Sequence, residues 1–202
     1  MADRSNGYVT GRARRERLLD AAIAAFGQSG FHTATLTEIA RACGISRPGL
    51  LHHFDSKEAL LTAVLERRDQ IDGEAFTAAI ARSTSPLQAL VDITAENAKT
   101  PGLTELYAVL SAEATNPRHP AHEYFATLYG RLRANLTEAL EVMRIAGELP
   151  AHLPADELAS EIIALKDGLS LQALLLPGTI HPAAALATAI ERLTGVAVRT
   201  TR

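Results

Sequence analysis

Apolar residues return every three or four positions along nearly the whole chain, and no stretch alternates with a period of two. The pattern therefore predicts an all-α protein. Leu18, Leu19, Ala22, Ile23 and Phe26 form a first helical stripe, which Gly30 stops. Leu36, Ile39, Ala40 and Cys43 form a second, short stripe, and Leu50 with Phe54 gives a third at i, i+4. Leu60, Leu61, Val64, Leu65, Ile71, Phe76 and Ile80 carry a long helix from Lys57 towards Ala81, with Gly73 expected to mark a bend. Five more helices follow. One opens at Pro86, one runs from about Leu103 to Thr115, and one runs from about Ala121 to Ala146. The next covers ADELASEIIALKDGLSLQALLL, and the last runs from Pro182 through Leu186, Ile190 and Leu193 to Gly195. Residues 1–10 are polar and mixed and read as a frayed arm.

The stretch from Leu36 to Phe54 is the most specific. Thr35 precedes its first apolar residue and Glu38 stands three positions on, a capping box that starts a helix. Gly44 sits where a left-handed residue ends one. Ile45 plugs the turn, Ser46 can cap the next helix, and Pro48 lies in a first turn that does not need its missing N–H. Leu50 and Phe54 point inward, whereas Arg47, Gly49, His52 and His53 occupy a face that no core requires. This is the helix-turn-helix arrangement, whose second helix enters the DNA major groove. The plain alternative is an αα-corner in a helical protein of another kind.

Charge sharpens that choice. The formal net charge is −3, so the molecule as a whole is not a basic nucleic-acid binder. Residues 1–68, however, hold 10 Lys and Arg against 7 Asp and Glu, and residues 69–202 hold 10 against 16. A basic end on an acidic body suits a protein that meets phosphate with one end only. Arg12, Arg14, Arg15 and Arg17 cluster at the start of the first long stripe, as phosphate contacts or as a solvated charge run. Cys43 is the sole cysteine, which rules out an intrachain disulfide and fits a reducing cytoplasm. No apolar run reaches the ~18 residues of a membrane span and no signal peptide opens the sequence, so a cytoplasmic protein is expected, with no membrane partner.

Residues 14–71 resemble the DNA-binding domain of the tetracycline-repressor (TetR) family. The resemblance rests on RERLLDAAIAAFGQSGF, on TLTEIARACGISRPGL and above all on HHFDSKEALL. It implies a DNA-binding domain over 11–71 and a helical ligand-binding and dimerisation domain over 72–202, with about nine helices. It also implies a homodimeric repressor that a small-molecule effector releases from a palindromic operator in double-stranded DNA, with no enzymatic activity and no cofactor. Carried over residue by residue, it places Arg47, Gly49, Leu51, His52 and His53 against DNA and Thr35, Thr37, Ser46 and Lys57 near phosphates. This sequence departs from the family where Leu51 replaces a usual aromatic and Gly49 a usual Ser, Thr or Ala. Leu51 can touch a thymine methyl but donates no hydrogen bond, so base reading falls mainly on Arg47 and His52.

Beyond residue 71 the resemblance is one of architecture. Asn97, Tyr107, Glu113, Tyr124, Tyr129 and Asp167 are polar or aromatic positions on helices otherwise rich in Ala and Leu, and are candidate pocket residues. Leu158, Ile162, Leu165, Leu169 and Leu176 on the eighth helix, with Leu186, Ile190 and Leu193 on the ninth, are candidates for a dimer bundle, and Ile163, Leu171, Leu174 and Leu175 broaden the apolar surface of the eighth. The alternative is an eighth helix buried centrally in a monomer. His119 and His122, with Glu123, have helical ligand spacing, but two ligands are not a metal site, and a loop histidine or pocket wall explains them. No Gly-rich phosphate loop is present, Ser160 and Ser170 lack a nucleophile elbow, and Asp156-Glu157 sits at a helix start where capping accounts for it. Two rival classes remain: a DNA-binding protein that ignores ligands, marked by ligand-insensitive release, and a helical enzyme, marked by turnover.

Overall fold

The computed structural model describes residues 4–82, 85–150 and 152–200. The side chains of residues 4–12 and of Asp72, Ala75, Phe76, Ile80 and Pro101 lie outside that description, and with them the expectations for Arg12, Phe76 and Ile80. The described residues form nine helices and no strand. In chain order they are α1 (Arg4–Thr33), α2 (Leu36–Ala42), α3 (Arg47–Leu51), α4 (Lys57–Arg82), α5 (Pro86–Asn97), α6 (Pro101–Glu113), α7 (His122–Ile145), α8 (Ala155–Leu175) and α9 (Pro182–Thr194). The all-α class is as the periodicity predicted. No helix among the described residues is long and apolar enough to cross a membrane.

Local chemistry sets most of the boundaries. Pro86, Pro101 and Pro182 each begin a helix, where the missing N–H leaves no ladder bond unmade. Gly195 ends α9 in the left-handed region at φ 73°. Two expectations change. The stretch read as a frayed arm is helical from Arg4, continuous with the amphipathic part of α1. Extending a nucleated helix gains one hydrogen bond per residue fixed, so a polar stretch can follow it. The helix α4 continues through Gly73 without a break.

The chain divides into two compact units. One takes the chain up to Gln70 together with Glu105–His122; the other takes Ile71–Thr104 and the chain from Glu123 onward. Residues 105–122, which the sequence placed in the second domain, therefore pack with the helix-turn-helix. Leu106, Leu110 and Ala114 on that segment are buried, as are Leu18, Phe26, Ile39, Leu50, Phe54 and Leu60 elsewhere in the same unit. In the second unit, Leu87 and Val91 of α5, Leu140 and Met143 of α7, Leu158 and Ile162 of α8, and Leu186 and Ile190 of α9 form one core.

That core bears on the residues expected at a dimer interface. Leu158, Ile162, Leu186 and Ile190 are at most 3% exposed inside the chain's own core, and Leu165, Leu169 and Leu193 pack partly buried against it. Residues already buried have no surface left to give a second chain, which corrects the reading of the first four as interface contacts. The apolar area α8 keeps exposed lies at its other end, at Leu171 and Leu175, with Leu176 just beyond the helix.

Candidate DNA interface

The helices α2 and α3 have seven and five residues, so their ends decide whether they form at all. At the start of α2 the Glu38 N–H donates to Thr35 Oγ1 at 3.2 Å, and the Thr35 N–H donates back to Glu38 Oε2 at 3.1 Å. The Thr35 hydroxyl also donates to Glu38 Oε2 at 2.7 Å, and these bonds hold the Glu38 carboxyl below its usual range. At the other end the Ile45 N–H reaches the Ala40 carbonyl and the Gly44 N–H reaches the Arg41 carbonyl, both at 3.0 Å, with Gly44 at φ 68°. This is a Schellman stop, and it turns the chain into α3. There Ser46 Oγ accepts the Gly49 N–H at 3.2 Å, and Ser56 Oγ caps α4 through the Ala59 N–H at 3.0 Å.

With its ends tied, α3 turns Leu50 inward, followed by Phe54, and leaves Arg47 and His52 exposed and Gly49, Leu51 and His53 half-buried. A concave surface is lined by Thr35, Thr37, Arg47, Leu51 and Lys57, together with His32, Ala34, Leu36, Asp55 and Ser56. Five of the expected DNA contacts thus share one hollow. Ser46, Gly49, His52 and His53 lie outside it. His32 and Asp55 also line it, and no sequence pattern marks them, because neither belongs to a helical stripe or a cap of α2 or α3. Lys57 is positioned by two contacts: its Nζ donates to the His32 carbonyl at 3.1 Å and lies 4.7 Å from the centre of the Phe31 ring.

Arginines frame this face. The Arg15 guanidinium lies 4.9 Å from the centre of the Phe54 ring, and Arg14, Arg15 and Arg17 are exposed. The Cys43 thiol donates to the Arg17 carbonyl at 3.3 Å, and burial pushes its pKa up, so it is a poor nucleophile. The His52 and His53 rings meet edge to face at 5.8 Å. Desolvation, and then the nearby charges of His52, Arg14 and Arg15, holds the His53 pKa below its ordinary value.

The six candidate pocket residues are divided between the two units. Tyr107 and Glu113 belong to the first unit; Asn97, Tyr124, Tyr129 and Asp167 belong to the second. The Arg68 guanidinium lies 5.5 Å from the centre of the Tyr107 ring. Glu113 Oε2 accepts the Phe31 N–H at 2.7 Å, so this carboxylate already serves the backbone. In the second unit the Tyr129 hydroxyl donates to Asp167 Oδ2 at 2.6 Å, and Lys166 Nζ lies 3.4 Å from Asp167 Oδ1. Tyr124 meets Phe125 edge to face, and the Asn97 carbonyl accepts the Thr104 hydroxyl.

His119 and His122 close the turn between α6 and α7. His119 Nδ1 accepts the Ala121 N–H at 3.1 Å, and His122 Nδ1 lies 2.8 Å from the Ala114 carbonyl. No group of three or more His, Cys, Asp or Glu residues among those described is arranged to hold a metal. The neutral His119 ring carries its proton on Nε2, 3.4 Å from Glu113 Oε2. Burial lowers the His119 pKa, and Glu113 only partly opposes that effect.

Comparison with known proteins gives two family matches. The family described as "Bacterial regulatory proteins, tetR family" matches residues 18–64, and "BetI-type transcriptional repressor, C-terminal" matches residues 86–197. The transcriptional regulator BetI of Serratia proteamaculans is 31% identical over 186 residues, covering 90% of this chain and 91% of that one. UidR of Escherichia coli K12 is 42% identical over 60 residues, 30% of this chain and 31% of its own. Among solved structures, a transcriptional regulator from Saccharomonospora viridis in complex with choline has a TM-score of 0.75 at 22% identity, over 89% of this chain and 96% of that one. A TetR regulator from Chloroflexus aurantiacus has a TM-score of 0.75 at 25% identity, over 91% and 93%.

The two perturbed histidines make a measurable signature. In an NMR titration of the folded protein, His53 and His119 should both titrate below their ordinary value of 6.5. The unfolded chain takes up these protons first as the pH falls. Their contribution to stability is therefore complete above about pH 6.5 and declines below it. A His119 midpoint above 6.5 would mean that the Glu113 carboxylate outweighs burial.

Proposed function

The chain belongs to the TetR family of bacterial transcriptional regulators, and from that premise we propose that it acts as a homodimeric repressor that a small molecule releases from DNA. The hollow shared by Thr35, Thr37, Arg47, Leu51 and Lys57 beside α3 carries this reading. It sets an arginine able to read a base and a lysine able to meet a phosphate on one face. The chain would act on chromosomal DNA in the cytoplasm. The helix α4 starts at the proposed phosphate anchor and has 26 residues, so at 1.5 Å per residue it runs about 39 Å and offers a covalent path for ligand control.

Two substitutions test the DNA face on a duplex that the wild-type protein selects from a random pool. Arg47→Ala should relax sequence choice and cost about 1–3 kcal/mol. Lys57→Ala should weaken binding to all sequences and lower the slope of log K against log salt by about one for each protomer bound. Wild-type behaviour in both variants would refute the assignment.

The proposed dimer uses the exposed end of α8, where Leu171, Leu175 and Leu176 leave apolar area uncovered within the chain. Light scattering at micromolar concentration without DNA should return twice the chain's mass, and Leu175→Glu should return it once. A wild-type mass equal to one chain would remove the dimer.

A small organic cation is the first effector class to test. Tyr129 and Asp167 join an aromatic ring to a carboxylate on α7 and α8, chemistry that suits a quaternary ammonium, and the Saccharomonospora viridis regulator holds choline. Choline at about 100 times its Kd should stabilise the protein by about 2.7 kcal/mol, read as a rise in Tm. Asp167→Asn should reduce that rise, and the uncharged isostere 3,3-dimethylbutanol should give none. No rise with choline at millimolar concentration would exclude it as the effector.

A further inference from the structure

Within the first unit, α1 is broken at Gly30, whose φ of 74° and ψ of 170° lie outside the helical range. A break there takes the Phe31 N–H away from the carbonyl that an unbroken helix would offer it. Its partner is instead Glu113 Oε2 at 2.7 Å, from a residue 82 positions along the chain. A Cβ at position 30 would overlap the Glu113 carboxylate as it stands, so a side chain there would displace it. The positive φ itself favours glycine, and its bare Cα leaves the carboxylate where it can accept the Phe31 N–H.

What Glu113 holds in place is the seat of Lys57. The Phe31 ring packs against Phe26 at 5.8 Å and receives the edge of His119 at 5.3 Å. Lys57 Nζ lies 4.7 Å from the centre of the Phe31 ring, and the next carbonyl, that of His32, accepts its hydrogen bond. An ammonium has three donors, so a bond to His32 leaves donors for a phosphate. Both contacts come from residues 31 and 32, and the backbone N–H of residue 31 is tied to Glu113.

We infer that Glu113, at the C-terminal end of α6, is a positioning residue for the phosphate anchor Lys57, and sets DNA affinity without touching DNA. The inference rests on the reading of Lys57 as a phosphate contact. It moves Glu113 from the expected ligand pocket to the machinery of the DNA face. The carboxylate acts by fixing the Gly30–Phe31 turn, which fixes the ring and the carbonyl, which in turn fix the ammonium.

The test is the salt dependence of binding to the selected duplex, with melting curves and active-site titration showing that each variant is folded. Lys57→Ala should lower the slope by about one for each protomer bound. Glu113→Ala should lower it by a similar amount, whereas Glu113→Gln, which keeps an oxygen to accept the Phe31 N–H, should restore it. Glu113→Ala added to Lys57→Ala should change the slope no further. A merely structural role would lower Tm but leave the slope of the folded fraction unchanged. If Glu113→Ala does not fold, Glu113→Asp, with its carboxylate drawn back by one methylene, should give an intermediate slope, and a wild-type slope in that variant overturns the inference. An unchanged slope in Lys57→Ala refutes the reading of the anchor. A lowered slope in Lys57→Ala with a wild-type slope in Glu113→Ala refutes the inference alone.

Discussion

Two helices of seven and five residues present the DNA face, and neither is long enough to stand by itself. A helix leaves four N–H and four C=O groups without internal partners, so in elements this short the ends outweigh the middle. The face therefore depends on its caps. Thr35 and Glu38 satisfy each other's backbone, Gly44 turns the chain so that Ile45 and Gly44 close α2, and Ser46 opens α3. Leu50 and Phe54 then fasten α3 to the interior, and what remains outward is available to DNA.

That dependence explains why the DNA face was legible in the sequence. A capping box spans four residues, a Schellman stop needs one glycine, and an inward i, i+4 pair needs one turn of helix. All of these are local, and the structure shows each where the sequence placed it. The parts that were not legible depend on distant partners. Nothing near Glu113 in sequence marks it as the acceptor for Phe31, and nothing near Lys57 shows that its ammonium rests on residues 31 and 32. The apolar positions of α8, Leu171, Leu175 and Leu176 among them, were visible, but not which of them the chain itself buries. Leu158 and Ile162 face the chain's own α9, and the residues that stay exposed are later ones on the same helix.

Histidine and carboxylate roles divide along the same line. Glu113 is chemically suited to a ligand pocket, and sequence alone offers no reason to refuse it one. Its 2.7 Å bond from the Phe31 N–H gives one of its oxygens a backbone role as well. His119 beside it is kept neutral by burial, which leaves the carboxylate to the backbone instead of drawing it fully into an ion pair. Asp167 accepts the Tyr129 hydroxyl on Oδ2 and has Lys166 Nζ 3.4 Å from Oδ1, so a cation entering there would compete with Lys166 for the carboxylate.

The energetics of release place a bound on any mechanism. Moving a two-state equilibrium from 1:99 to 99:1 takes about 5.5 kcal/mol of differential binding. A ligand acting on one protomer alone would weaken one half-site and leave the other in place. Full release then needs both protomers to change together, and by linkage operator DNA must weaken ligand binding by the same factor.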